Sequence, residues 1–289
     1  MNSLLVEHGF ERHRDRAGAG PFTAAVFDFD GTISLLRGGW TGLMIEMMVA
    51  SLDPLRRQGE TPAELTQTIL DFILEQNGRP TLYQMIRLTE EMAVRGGQPD
   101  LAEVYEQEFG RRLRLRIEER KSQISAAQVT ADDWMVPGVR PFLQALAARG
   151  VELTLASGTY RDDVVLEAEF LGIADLFEGR IFGPTGDPRS FSKAAVIAEV
   201  AARQPGGAAA VIGFGDGVVE TREMHQAGGY AVGIASDEEA RSGVSVPWKR
   251  DRLIEAGASL VAPDFRNHTA LSAWMEYLEQ SGMLASPQD

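Results

Sequence analysis

Three places in this 289-residue chain where β-forming runs give way to turns, and one helix start, carry side chains able to do chemistry. The run TAAVFDF at 23–29 ends in Asp28-Phe29-Asp30-Gly31-Thr32. Carboxylates two positions apart at an extended strand end project to one side, leaving Phe27 and Phe29 for the packed side. VELTLA at 151–156 ends in Ser157-Gly158-Thr159, a hydroxyl on flexible backbone leading into a helix. AAAVIGF at 208–214 runs on to Gly215-Asp216-Gly217, with Glu220 four residues after Asp216. Between these, Lys193 opens a helix after Ser190 and Ser192, where its ammonium adds to the field of the helix N-terminus. In open α/β sheets, ligands bind beyond the carboxyl ends of the strands. Carboxylates, a hydroxyl and an ammonium gathered there can hold and neutralise a charged ligand.

Those residues need a scaffold, and the rest of the chain predicts one. After 136 the sequence alternates helix and strand, with further strands predicted at 180–183, 230–235 and 259–262. Alternation of this kind implies a Rossmann-like, doubly wound parallel sheet with helices on both faces. Residues 35–135 read differently. Thr61-Pro62-Ala63-Glu64 is a capping-box start, Leu65, Ile69, Phe72 and Ile73 recur at helical spacing, and Gly78 is a stop. A second helix is expected after Pro80 and a third from near Pro99-Asp100 through Leu113. The organisation expected is a polar, flexible lead-in over 1–21, an α/β core from 22–34 and 136–289, and an all-helical insertion over 35–135.

Composition narrows the function. The chain is 44% hydrophobic and 24% charged, an ordinary globular balance, and has no apolar run long enough to span a bilayer. Its net charge of −14 argues against a general nucleic-acid binder. The absence of cysteine removes thiolate metal sites and Cys nucleophiles, and fits a cytoplasmic protein. None of the four histidines pairs with another at metal-ligand spacing. Arg111, Arg112, Arg114 and Arg116 read as a solvated helix face with ordinary ion pairs, and Trp134 and Trp248 as packing residues.

Taken singly, each chemical motif has a plain structural reading as a surface turn, a helix start or a loop. Their joint occurrence at successive strand ends, in this order, carries the inference. The sequence resembles the haloacid dehalogenase superfamily of phosphohydrolases: DFDGT (28–32) matches its first motif, ASGT (156–159) its second, Lys193 its third and GDGVVE (215–220) its fourth. The helical insertion directly after the first motif resembles the cap of members that carry one there. The resemblance implies that Asp28 is the nucleophile and a Mg²⁺ ligand, and that Asp30 is the general acid and base, its main-chain carbonyl also binding the metal. It implies Asp216 as a further ligand, and Ser157 and Lys193 holding phosphate oxygens with help from Thr32 and Gly158. Glu220 stands where the family often has Asp, and is expected either as an outer-sphere ligand or as a group that orients Lys193. Arg37 and Trp40 follow the first motif closely enough to contact substrate from the cap edge.

Asp30 points to phosphate esters, since a halide leaves without a proton and the superfamily's phosphonate hydrolysis does not use this residue. A cap that closes over the site and excludes macromolecules favours a small phosphorylated metabolite, such as a sugar phosphate. A sugar phosphomutase uses the same residues and is the nearest alternative. A non-catalytic phosphometabolite sensor is the alternative from another class, and it would have no need of Asp30.

Overall fold

A computed structural model of the chain describes residues 2–15, 20–75, 81–187 and 190–284. Its strands are β1 (Glu11–Arg12), β2 (Ala24–Phe27), β3 (Glu152–Ala156), β4 (Ile181–Phe182), β5 (Val211–Gly215), β6 (Tyr230–Ile234) and β7 (Leu260–Ala262). They form one sheet in the order β1-β7-β6-β5-β2-β3-β4, parallel except where β1 pairs antiparallel with β7. β2 is the pivot: all four of its residues are buried, and it pairs in parallel with both β3 and β5. The chain winds outward in both directions from that strand, so the switch point lies at the carboxyl end of β2.

Helices cover both faces. α6 (Val139–Ala148), α7 (Arg161–Phe170) and α11 (His268–Leu284) pack on one side, around Phe27, Phe142, Phe214 and Phe265. α8 (Lys193–Arg203) and α9 (Val218–Gln226) close the other through Val196, Ile197, Val200 and Met224. The doubly wound α/β architecture is therefore present.

α2 (Trp40–Leu52), α3 (Pro62–Glu75), α4 (Thr81–Val94) and α5 (Ala102–Ser125) gather a separate apolar cluster around Met44, Met48, Leu65, Ile69, Met85 and Leu88. The Thr61–Glu64 capping box forms in both directions, Glu64 Oε2 accepting from Thr61 N at 2.8 Å and Thr61 Oγ1 accepting from Glu64 N at 3.2 Å. The helix stop at Gly78 and the start after Pro80 lie outside the described residues. α2 carries no sequence prediction because WTGLMIEMMVASL is apolar almost throughout and shows no contrast between faces. Two chain segments join this block to the sheet: Leu35 N donates to Trp134 O at 2.8 Å and Val136 N to Ile33 O at 3.0 Å.

Three expectations need correction. The lead-in is not simply polar and flexible: α1 (Asn2–Glu7) and β1 fold onto the sheet, with Leu5 and Phe10 buried. These two apolar residues sit among charged ones, so the segment's average polarity hides them. The strand expected from 208 begins at Val211, because Gly207–Ala210 forms a 3-10 turn. Arg116, expected in an ordinary ion pair, instead donates to Gly39 O at 2.8 Å at the start of α2.

Candidate active site

The switch point places the ends of β2, β3 and β5 side by side, with the N-terminus of α8 beside them. Asp28 continues the β2–β5 pairing, its amide donating to Phe214 O at 2.9 Å. The chain then turns through Gly31, whose φ of 78° lies in the left-handed region. A Cβ at Gly31 would also collide with the Asp216 carboxylate. That glycine thus serves the turn and the approach of the fourth motif to the first.

The Lys193 ammonium sits at the centre. Its Nζ lies 2.6 Å from Asp28 Oδ1 and 3.2 Å from Glu220 Oε2. α8 delivers it there, with Ser192 as N-cap accepting from Ala195 N. Glu220 is braced from the other side, its Oε1 accepting from Gly217 N at 2.6 Å. Of the two roles expected for Glu220, the bond to Lys193 is the one seen directly.

The electrostatics are those of buried, excess negative charge. Burial drives the Asp28 carboxyl well above its ordinary pKa, opposed by Lys193 and reinforced by Glu220 and Asp216. Burial works against the charge of Lys193 too, but Asp28 and Glu220 outweigh it and raise its pKa. Asp216 is pushed up to about 6 by burial, with Lys249 pulling down and Glu238 and Glu220 pushing up. In Glu220 the lysine and the backbone donors prevail over burial, and its pKa is lowered. Asp28, Asp216 and Glu220 each present a carboxylate oxygen within 4.8 Å of one another. Such an all-oxygen, anion-rich set fits a hard divalent cation.

Asp30 lies to the side of this group. Its Oδ2 accepts from Thr159 Oγ1 at 2.8 Å and lies 3.5 Å from Ser157 Oγ, while its Oδ1 is 3.3 Å from Arg37 Nε. Ser157 is buried, and its Oγ also accepts from Thr159 N at 3.0 Å. Arg37 is tied on its far side to Glu167 of α7 at 2.6 Å. Burial raises the Glu167 carboxyl to about 7, against the pull of Arg37.

Above these groups lies a cavity of about 1140 Å³ between the strand ends and the helical block. Asp28, Asp30, Ser157, Gly158, Lys193, Asp216, Glu220, Arg37 and Trp40 all line it. Thr32 does not: its side chain is fully buried away from the cavity, and Oγ1 has no hydrogen-bond partner. One residue past the glycine turn, the chain has already re-entered the core. Trp248 is corrected as well, since it is half exposed and lines the cavity. The sequence reading missed Thr159, Glu167, Glu238 and Lys249. Thr159 was within reach, standing two residues after Ser157; the other three lie far along the chain without a motif of their own.

The sequence profile of the haloacid dehalogenase-like hydrolases matches residues 25–219. A comparison with curated proteins finds no match. Among solved structures, a conserved haloacid dehalogenase-like protein of unknown function from Agrobacterium tumefaciens superposes with a TM-score of 0.57 at 16% identity, covering 88% of this chain and 99% of that one. A predicted phosphoglycolate phosphatase from Haemophilus somnus gives 0.56 at 16% identity over 87% and 98% of the two chains. A HAD family hydrolase from Deinococcus radiodurans, with bound phosphate and sodium, gives 0.56 at 19% identity over 90% and 97%. At these identities the likeness is one of fold.

Proposed function

Because the chain belongs to the haloacid dehalogenase-like hydrolases, we propose that it is a Mg²⁺-dependent phosphatase of a small phosphorylated metabolite, working through a phospho-aspartate at Asp28. The observation that carries this reading is the pairing of Asp28 with Lys193 at 2.6 Å, while Asp30 is engaged by Thr159 and Arg37 instead. One carboxylate is thereby kept beside a cation at the strand end, while the other is free of the ammonium and available to handle a proton.

A Mg²⁺ ion held by Asp28, Asp216 and the main-chain carbonyl of Asp30, with Glu220 in its outer sphere, would supply charge neutralisation for the transferring phosphoryl group. The chain's own residues do the rest. An oxygen of Asp28 attacks phosphorus, the bond from phosphorus to the ester oxygen breaks, and the leaving oxygen takes a proton from Asp30. Lys193 and Ser157 hold the non-bridging oxygens. Water then attacks the phosphorus of the acyl phosphate, giving its proton to Asp30 and releasing inorganic phosphate and free Asp28. Asp30 ends in the protonation state in which it began.

The helical block, joined to the core at Ile33–Leu35 and Trp134–Val136, acts in this reading as a cap. On the cap side the cavity is lined by Trp40, Thr41, Leu70, Ile73, Thr81 and Tyr83, whose aromatic and hydroxyl groups suit a sugar or similar polyol phosphate. Among the described residues no helix is long and apolar enough to cross a membrane.

The test is phosphate release from an aryl phosphate by wild type and Asp28→Asn. The variant keeps the shape but loses the attacking charge, and turnover should fall on the order of 10³-fold or more. Substantial turnover by a folded Asp28→Asn protein would overturn the assignment. Appearance of a phosphorylated isomer instead of free phosphate would turn the reading to a mutase.

A further inference from the structure

Lys249 is a buried lysine that belongs to none of the four motifs, and it reaches the site from α10 (Pro247–Ala256). Its Nζ lies 3.2 Å from Asp216 Oδ2 and 2.5 Å from Glu238 Oε1. Glu238, in the loop after β6, anchors the ammonium so that it cannot swing out to solvent. Both Lys249 and Glu238 line the same cavity as Asp216.

The bond to Asp216 completes a pattern. Each of the three clustered carboxylates has an oxygen engaged by an N–H donor: Asp28 Oδ1 and Glu220 Oε2 by Lys193, Glu220 Oε1 by Gly217 N, and Asp216 Oδ2 by Lys249. A carboxylate with one oxygen held by an ammonium cannot chelate a cation through both oxygens without bringing the two positive charges together. This matters for which cation fits. Ca²⁺ takes six to eight oxygens and readily accepts bidentate carboxylates, whereas Mg²⁺ requires a tight octahedron of single oxygens.

We propose that Lys249 is a positioning residue that confines Asp216 to one oxygen toward the divalent cation, and so makes the site prefer Mg²⁺ over Ca²⁺. This rests on the reading of Asp28 and Asp216 as ligands of the cation. Glu238 serves the same end by holding the lysine in place.

Direct titration of the metal-free protein with Mg²⁺ and with Ca²⁺ by calorimetry tests this without reference to turnover. Both ions carry two charges, so loss of the ammonium raises both affinities alike, and only a change in geometry alters their ratio. In Lys249→Met the ratio of Ca²⁺ to Mg²⁺ affinity should rise by up to about tenfold, the order by which outer-shell partners of a metal ligand alter metal affinity. Lys249→Arg keeps the positive charge and the N–H donors, and its ratio should stay near that of wild type. If Lys249→Met does not fold, Glu238→Gln releases the anchor and should move the ratio in the same direction. An unchanged ratio in Lys249→Met, or in Glu238→Gln in its place, overturns the role of Lys249. Absence of binding of either ion to wild type overturns the cation site itself.

Discussion

Glu167 connects the core to the residue that faces Asp30, and its titration yields a number. Its side chain is 4% exposed, Oε1 accepts from Arg37 at 2.6 Å, and Oε2 is buried without a partner. Burial lifts this carboxyl from 4.5 to about 7. Between those values the folded protein holds a proton that the unfolded chain has released, so stability falls as pH rises through the window. The contribution is full below the unfolded value and is lost as pH passes the folded one. Weighing the two titrations, the loss from about pH 5 to about pH 8 comes to about 2.5 kcal/mol. Glu167→Gln keeps the shape and an acceptor for Arg37 but cannot ionise. Urea unfolding followed by tryptophan fluorescence, with chelator present, gives the stability of both proteins at each pH. Carboxyls common to both cancel in the difference. The variant should gain on wild type by that same amount between the two pH values. A difference that does not change with pH would show that Glu167 is ionised throughout, and that Arg37 offsets the burial completely.

Two further outcomes follow from the site. Asp30→Asn should slow reaction with an alkyl phosphate far more than with an aryl phosphate of an acidic phenol, since only the former needs its leaving oxygen protonated. With the activated substrate the phospho-enzyme should accumulate, seen as a burst of phenol followed by slow turnover; equal slowing of both substrates without a burst would remove Asp30 from proton transfer. EDTA should abolish phosphate release and Mg²⁺ restore it, with Asp216→Ala raising the Mg²⁺ needed or eliminating activity. Full-rate hydrolysis by the chelated enzyme would refute the metal requirement.

Much of the site was legible because its parts are local. Asp28 and Asp30 are two residues apart at the end of a buried β run, Ser157 and Asp216 end runs of the same kind, and Lys193 follows an N-capping serine. Strand period, helix capping and glycine turns all act within a few residues, so they can be read along the chain. α/β alternation then brings those strand ends to one edge of the sheet. Even the failures were local in origin: Leu5 and Phe10 were masked by charged neighbours, and α2 by having no polar face.

What stayed hidden depends on which distant residues meet. Lys249 reaches Asp216 across 33 positions, Arg37 reaches Glu167 across 130, and Glu238 holds Lys249 from a loop with no signature of its own. A lysine in the first turn of a helix, or a glutamate in the middle of one, looks the same in sequence whether it faces water or a buried carboxylate. Sequence alone determined the kinds of groups and the strand ends that carry them, because local backbone preference and hydrophobic period decide both. Tertiary structure alone decided their partners, the burial that shifts their charge and the exposure of Trp248 to the cavity, because desolvation and Coulomb interaction depend on distance through space and not along the chain.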